Sequence, residues 1–241
     1  MNLAIGLVVK GGKEFIDEWI KSATLISDNW YIVDNGADEG IREKFLKCPQ
    51  VKRYLYQPNL KRNMSRDYQK VLDMAREDDC TWIWNMDIDE IVYKYNRRQV
   101  EFYLLNSKET SHGVILFELR NDLKHYVMVK DFDGTEKHAR LCHKIYKIQS
   151  HFEFNPLDWH GQSIPHNCIP GETLNVFVLH MGHMNKKMRD DKRKSYEELY
   201  KKSNNLKDKH ESTSSTWFEE DESKIIIKEV IDIDKLSIGD K

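Results

Sequence analysis

The run Asp87-Ile88-Asp89-Glu90 places three carboxylates within four residues, directly after the string Trp82-Ile83-Trp84-Asn85-Met86. Side chains two apart on a strand share a face, but the chain turns where a strand ends, so Asp87 and Asp89 diverge. One can then hold a metal while the other holds a neighbouring hydroxyl or water. Carboxylates with one imidazole at most suit a hard or borderline ion, Mn2+ or Mg2+. Two other polar sets follow apolar runs: Lys10 after Leu3–Val9, and Asp34-Asn35 after Trp30–Val33. A polar turn after a buried strand also produces a bare D-x-D, so the elements that position these residues decide what the signal is worth.

Those elements alternate. Leu3–Val9 is a short aliphatic run of the kind a strand buried on both faces requires. Phe15, Trp19, Ala23 and Ile26 recur at helical spacing, and Trp30–Val33 is a second strand stopped by Asp34-Asn35-Gly36. A short helix around Glu43–Lys47 and a third strand at Val51–Tyr56 come next. Met64, Tyr68, Val71, Leu72 and Ala75 make a further amphipathic helix, before a fourth strand at Thr81–Met86. This succession predicts a parallel sheet with helices on both faces. Ligands of such sheets bind outside the carboxyl ends of the strands, so Lys10, Asp34-Asn35 and Asp87–Glu90 are expected along one edge.

The second half reads differently. Val114–Leu119, Tyr126–Val129, Cys142–Ile148 and Leu174–His180 are strand-like with long loops between them, and one helix falls near Arg98–Leu105. That pattern predicts a mixed or antiparallel extension. Asn185 is placed to cap a charged helix running to about Lys202, and Ile225–Ile233 is a last apolar segment, strand or helix.

Composition removes several classes. Of 241 residues, 32% are charged, above the usual ~25%, yet 26 aromatics rule out a disordered polymer. The longest apolar stretch is far short of the ~18 residues of a membrane span, and no secretory leader is evident. Net charge is −2, so no global field draws the chain to nucleic acid. Cys48, Cys80, Cys142 and Cys168 are scattered, which suits reduced thiols in a soluble or peripheral cytoplasmic protein.

With these pieces in order, the chain resembles the GT-A glycosyltransferases, most nearly the family 2-like group. The resemblance rests on L-A-I-G-L-V-V-K at 3–10, Y-I-V-D-N-G-A-D-E-G at 31–40, Ser65-Arg66-Asp67-Tyr68, and W-I-W-N-M-D-I-D-E at 82–90. It implies an α/β fold with a GT-A-like (Rossmann-like), mostly parallel central sheet and a mixed or antiparallel C-terminal half. The expected glycosyltransferase domain covers 1–205, with a nucleotide-sugar half at 1–95, an acceptor-side half at 96–205 and a polar extension at 206–241.

The implied activity is metal-dependent, inverting transfer of a sugar from a nucleotide-diphosphate sugar, UDP- or GDP-linked, to a glycan or other hydroxyl-bearing acceptor. Val9, Lys10 and Asn35 would border the donor. Asp34 would hold the base or ribose, Arg66 would lie near the nucleotide sugar, and Asp87 would face the ribose or donor sugar. Asp89 would be the main metal ligand, with Asp87 beside it and His180, at the end of L-N-V-F-V-L, completing the site. Arg140 and Lys144, alternating on R-L-C-H-K, would point to the diphosphate. In Leu157-Asp158-Trp159-His160-Gly161, Asp158 is the candidate base and His160 its rival. Related sequences often carry His-Glu here, and this chain has His160-Gly161.

Three other readings compete. A sugar- or nucleotide-binding module would keep the fold without turnover. A haloacid-dehalogenase-type phosphatase shares the D-x-D string, but there it normally ends the first strand rather than the fourth. A sugar nucleotidyltransferase would carry a glycine-rich G-x-G-T-R loop after strand one, which is missing here.

Overall fold

The computed structural model describes residues 1–58, 63–130, 136–155, 163–182, 184–191, 194 and 227–230. In chain order its elements are β1 (Leu3–Gly11), α1 (Ile16–Ile26), β2 (Trp30–Ala37), α2 (Ile41–Leu46), β3 (Val51–Tyr56), α3 (Met64–Glu77), β4 (Trp82–Asn85), β5 (Glu90–Lys94) and α4 (Arg97–Asn106). They continue with β6 (Ser111–Leu119), β7 (His125–Val127), β8 (Val129–Lys130), β9 (Glu136–Lys137), β10 (Arg140–Lys147), β11 (Pro170–His180) and β12 (Ile227–Glu229). The chain forms two compact units. The first comprises Met1–Ile115 and Leu141–Val178, the second Leu116–Arg140 and Leu179 onward.

In the first unit the strands lie in the order β10-β4-β1-β2-β3. The pairs β4·β1, β1·β2 and β2·β3 are parallel, and β10 runs antiparallel to β4. This is the expected α/β fold, with a mostly parallel, helix-flanked central sheet. Both faces are buried, which is why β1, β2 and β4 read as unbroken apolar runs. On one face α3 sets Tyr68, Val71, Leu72 and Ala75 against Ala4, Tyr31, Val33 and Ile83. Elsewhere in this unit Trp19 of α1 meets Trp30 and Phe45 edge-on, with centroids 5.2 and 5.5 Å away. The Asn63 side chain caps α3 by accepting from the Arg66 amide at 2.9 Å.

Gly6 marks the closest approach of β1 to its neighbours. A Cβ there would lie 2.3 Å from Asn85 Oδ1 and 2.6 Å from Val71 Cγ1. Gly6→Ala is therefore expected to destabilise the protein by about 1–3 kcal/mol through overpacking. A lower urea midpoint with an unchanged slope would show it; an unchanged midpoint would contradict it.

The second unit pairs β6 with β7 and β7 with β12, both antiparallel, and carries the β8·β9 ribbon. β12 lies within the predicted Ile225–Ile233 segment and is a strand. Residues 186–191 and 194 are helical, and Asn185 caps them by accepting from the Met188 amide at 2.9 Å. The rest of the predicted helix lies outside the described residues. β5 was not anticipated, because the D-I-D-E-I-V string reads as a turn. Among the described residues no helix is long and apolar enough to cross a membrane. The four cysteines are free thiols, Cys80 buried and the others half-buried.

Candidate functional site

Because β1, β2 and β4 are parallel neighbours, the residues that follow them emerge at one edge of the sheet. Val9 pairs with Asp34 across β1·β2, and Gly6 pairs with Asn85 across β1·β4. Lys10, Asp34-Asn35 and Asp87–Glu90 thus meet at the carboxyl edge, as predicted. The loops draw together as well. Gly12 has φ +98°, and a Cβ on it would lie 2.8 Å from Ile88 Cγ1, so the chain after β1 packs directly on the D-I-D turn. The Lys13 amide donates to Asp38 Oδ2 at 3.0 Å, joining the loops after β1 and β2.

Asp34 is 1% exposed. Its Oδ1 accepts from the amides of Gly36 at 2.8 Å and Ala37 at 2.7 Å, and Oδ2 accepts from the Tyr54 hydroxyl. The carboxylate therefore closes the Asp-Asn-Gly turn from inside. Burial, and then the neighbouring Asp34 carboxylate, push the Tyr54 hydroxyl well above the usual tyrosine range. Asn35 and Arg66 meet through a residue to which the sequence reading assigned no role. Asp67 is fully buried and accepts from Asn35 Nδ2, from Gln57 Nε2 at 2.8 Å and from Arg66 Nε at 2.8 Å. Lys70 donates to Gln57 Oε1.

Asp87 is the centre of a second network. Tyr68 donates to Oδ1 at 2.9 Å, and the Lys144 ammonium lies 2.7 Å from Oδ2 and 2.6 Å from Glu90 Oε1. The Asp87 amide donates to Glu90 Oε2 at 3.1 Å. Burial pushes the Asp87 carboxyl up, but the Lys144 charge together with the hydrogen bonds from Lys144 and Tyr68 holds the group below the usual carboxylate range. Burial likewise lowers Lys144, and the Asp87 and Glu90 carboxylates outweigh it, so its ammonium persists well above the ordinary lysine range.

This geometry gives partners within the protein to the two cations expected at the diphosphate. Lys144 is paired inward, because an ammonium buried to 5% exposure needs carboxylate partners. It is thus engaged with Asp87 and Glu90, while Arg140, four residues earlier on the same strand, bonds Glu118. Strand alternation put the two cations on one side; their partners lie in different networks.

The chemistry of the donor set tests the fit of Mn2+ or Mg2+. Asp87 Oδ2 takes the Lys144 ammonium and Oδ1 accepts from the Tyr68 hydroxyl, so a divalent ion at Oδ2 would lie beside a cation. Asp89, on the turn and half-buried, offers a hard oxygen donor. Mg2+ is commonly held by one or two carboxylates together with substrate phosphates and water, and Asp89 fits that arrangement. Among the described residues, no group of three His, Cys, Asp or Glu side chains converges as a closed cage.

In the second unit His180 ends β11 and is 8% exposed. Its Nδ1 lies 2.6 Å from Oε2 of Glu118, a fully buried carboxylate within the apolar run of β6. Asp158 and His160, with Trp159, lie outside the described residues. Asp67 and Tyr68, and Glu118 in the second unit, are buried network residues to which sequence reasoning assigned no role, and Glu90 was read only as part of the carboxylate run. For Glu118 the available signal was a single charge inside Val114-Ile115-Leu116-Phe117-Glu118-Leu119.

No family model matches the sequence, and no curated protein matches it. Among solved structures, TarS of S. aureus aligns with a TM-score of 0.50 at 10% identity, over 78% of this chain and 38% of that one. TarS 1–349 in complex with UDP-GlcNAc gives 0.49 at 10% identity, over 79% and 64%. Mannose-1-phosphate geranyltransferase from Thermus thermophilus gives 0.39 at 11%, over 62% and 51%. The chain thus spans well under half the length of the TarS chain it first matches. At 10% identity the likeness to the full TarS chain concerns the fold alone, and it agrees with the GT-A-like α/β architecture.

Proposed function

We propose that this chain transfers a sugar from a nucleotide-diphosphate sugar to an acceptor hydroxyl, with a divalent ion held at Asp89. The observation that carries the reading is the meeting of Lys10, Asp34-Asn35 and Asp87–Glu90 at the carboxyl edge of parallel β1, β2 and β4, on a GT-A-like sheet. Bound there, Mn2+ or Mg2+ would neutralise the charge that develops as the nucleoside diphosphate leaves. Lys10, exposed at the end of β1, supplies a cation for the diphosphate. The buried Asp34 and Asp67 networks fix Asn35, Gln57 and Arg66 in place before donor binds, which lowers the ordering cost of binding. Asp158 takes the acceptor proton in a direct, inverting displacement, with His160 as the alternative base.

Two measurements test this. A thermal-shift screen of UDP- and GDP-sugars, with and without Mn2+, should raise the unfolding midpoint for one donor class in the presence of the ion. Asp158→Asn should leave that donor shift intact and lower transfer about 10²–10⁴-fold. Absence of any metal-dependent shift would overturn donor binding, and near-normal transfer by Asp158→Asn would move the base to His160. Donor binding without metal-dependent release of nucleoside diphosphate would instead identify a binding module.

A further inference from the structure

His112, the second residue of β6, is fully buried among polar groups of the first unit. Its Nδ1 lies 3.1 Å from the Glu172 carbonyl oxygen on β11, and its Nε2 lies 2.8 Å from Ser107 Oγ, just after α4. A carbonyl only accepts, so Nδ1 carries a hydrogen whatever the charge of the ring. Ser107 Oγ in turn lies 2.9 Å from Glu109 Oε2 and accepts from the Glu109 amide at 3.2 Å. β11 presses closely on the cluster: a Cβ on Gly171 would lie 2.6 Å from His112 Cε1 and 2.8 Å from Glu109 Cβ. Tyr103 of α4 and Trp82 of β4 set their rings beside the imidazole, with centroids 5.3 and 5.7 Å away. The Tyr103 hydroxyl bonds the Glu172 carboxylate at 2.7 Å, and His143 of β10 lies 3.2 Å from Ser111 Oγ.

Two hydrogen-bond states follow. With a neutral ring, the Nε2 lone pair and the Glu109 carboxylate both claim the one hydroxyl hydrogen of Ser107, and one of them goes without. With a protonated ring, Nε2–H donates to Ser107 and the Ser107 hydroxyl donates to Glu109, so every group is matched.

We propose that Ser107, Glu109 and His112 form a proton-operated latch between the α4–β6 connection and β11, closed when the ring is charged and open when it is neutral. Burial pushes the His112 ring below the ordinary histidine range; the Glu172 carbonyl and the Glu109 and Glu172 carboxylates oppose that shift, and His143 adds to it. The latch is therefore open at neutral pH and closes on acidification. Its own backbone and the Ser107 hydroxyl hold the Glu109 carboxyl below the usual carboxylate range, so Glu109 is charged when the ring begins to take up its proton. On opening, the Ser107 hydrogen turns to Nε2, and the half-buried Glu109 side chain turns to water.

The test is NMR of the isotope-labelled full chain, with His112 and Glu109 assigned through the backbone. In wild type at neutral pH, Nδ1 should be protonated and Nε2 bare. On acidification the Glu109 carboxylate carbon should shift in step with the ring. Glu109→Gln should lower the ring's midpoint by about one pH unit, the size of one charge-assisted hydrogen bond. A bare charge acts through space whether or not Ser107 is present, whereas the latch passes through its hydroxyl. In a Ser107→Ala background, Glu109→Gln should therefore move the midpoint by less than about half as much. A neutral ring protonated on Nε2, a ring that stays neutral until the protein unfolds, or a Glu109 signal that ignores the ring's titration would each overturn the proposal, and none of these needs a variant to fold. Equal shifts from Glu109→Gln with and without the Ser107 hydroxyl would reduce the cluster to through-space attraction and end the latch.

Discussion

Asp89→Ala is expected to lower metal-dependent release of nucleoside diphosphate by at least about 10²–10³-fold, the range seen when a preorganised charge-stabilising group is removed. The fold should survive. Asp89 lies on a half-buried turn outside the packed core, and its charge pushes the Asp87 carboxyl upward. The unfolding free energy should therefore stay within about 1 kcal/mol of wild type. The measurement is turnover by chelator-treated protein resupplied with Mn2+. Wild-type turnover by the variant under those conditions would remove Asp89 from the metal site.

Lys144→Met should have the largest effect on stability. It leaves Asp87 and Glu90 facing each other without their cation, and breaking such a buried pair typically costs about 3–5 kcal/mol. The pH dependence follows from the directions of the two shifts. The folded pKa of Lys144 is raised, so its contribution is present below the ordinary lysine range and is lost only as pH rises past the raised value. The folded pKa of Asp87 is lowered, so its contribution is present above the ordinary carboxylate range and is lost as pH falls through the lowered value. The pair therefore stabilises the protein across the whole interval between. The deficit of Lys144→Met should shrink as pH falls, because burial and mutual repulsion raise the orphaned carboxylates and make them take up protons sooner than in wild type. Adding Glu90→Gln should recover part of it. A deficit that does not change with pH would show that Lys144 acts through its aliphatic stem alone.

The part of the site that the sequence made legible is the part that strand order dictates. β1, β2 and β4 are apolar because both faces of the sheet are covered, so their limits, and the polar residues just beyond them, could be read directly. Where those side chains point was not legible. Asp34 turns inward because Gly36, Ala37 and Tyr54 offer it three donors, and only the register of β2 against β3, which pairs Asp34 with Tyr56, brings Tyr54 near. Lys144 was read as a cation for the diphosphate because alternation fixes which side of a strand a residue takes, but not what waits there. Its partners, Asp87 in the turn after β4 and Glu90 at the start of β5, are far away in sequence and come near through the β10·β4 pairing. Glu118 was invisible for the same reason. One charge in an apolar run names no partner until a second strand supplies one.

The interleaving of the two units carries a consequence for how the chain is made. β4 acquires its second neighbour, β10, only after the whole of Leu116–Arg140 has been laid down, and that stretch belongs to the other unit. During synthesis the parallel strands β1 to β4 can associate early, but Trp82–Asn85 then waits with one unpaired edge. An apolar edge of that kind is a template for misplaced strands. Leu116–Arg140 in turn waits for Leu179 and the residues after it before its own unit can close. Pairings this distant are slow to form, because the loop-closing entropy is spent before any contact offsets it. Neither unit exists as one continuous stretch, so a truncation after Ile115 would release a sheet missing its antiparallel border, prone to aggregation rather than to independent folding.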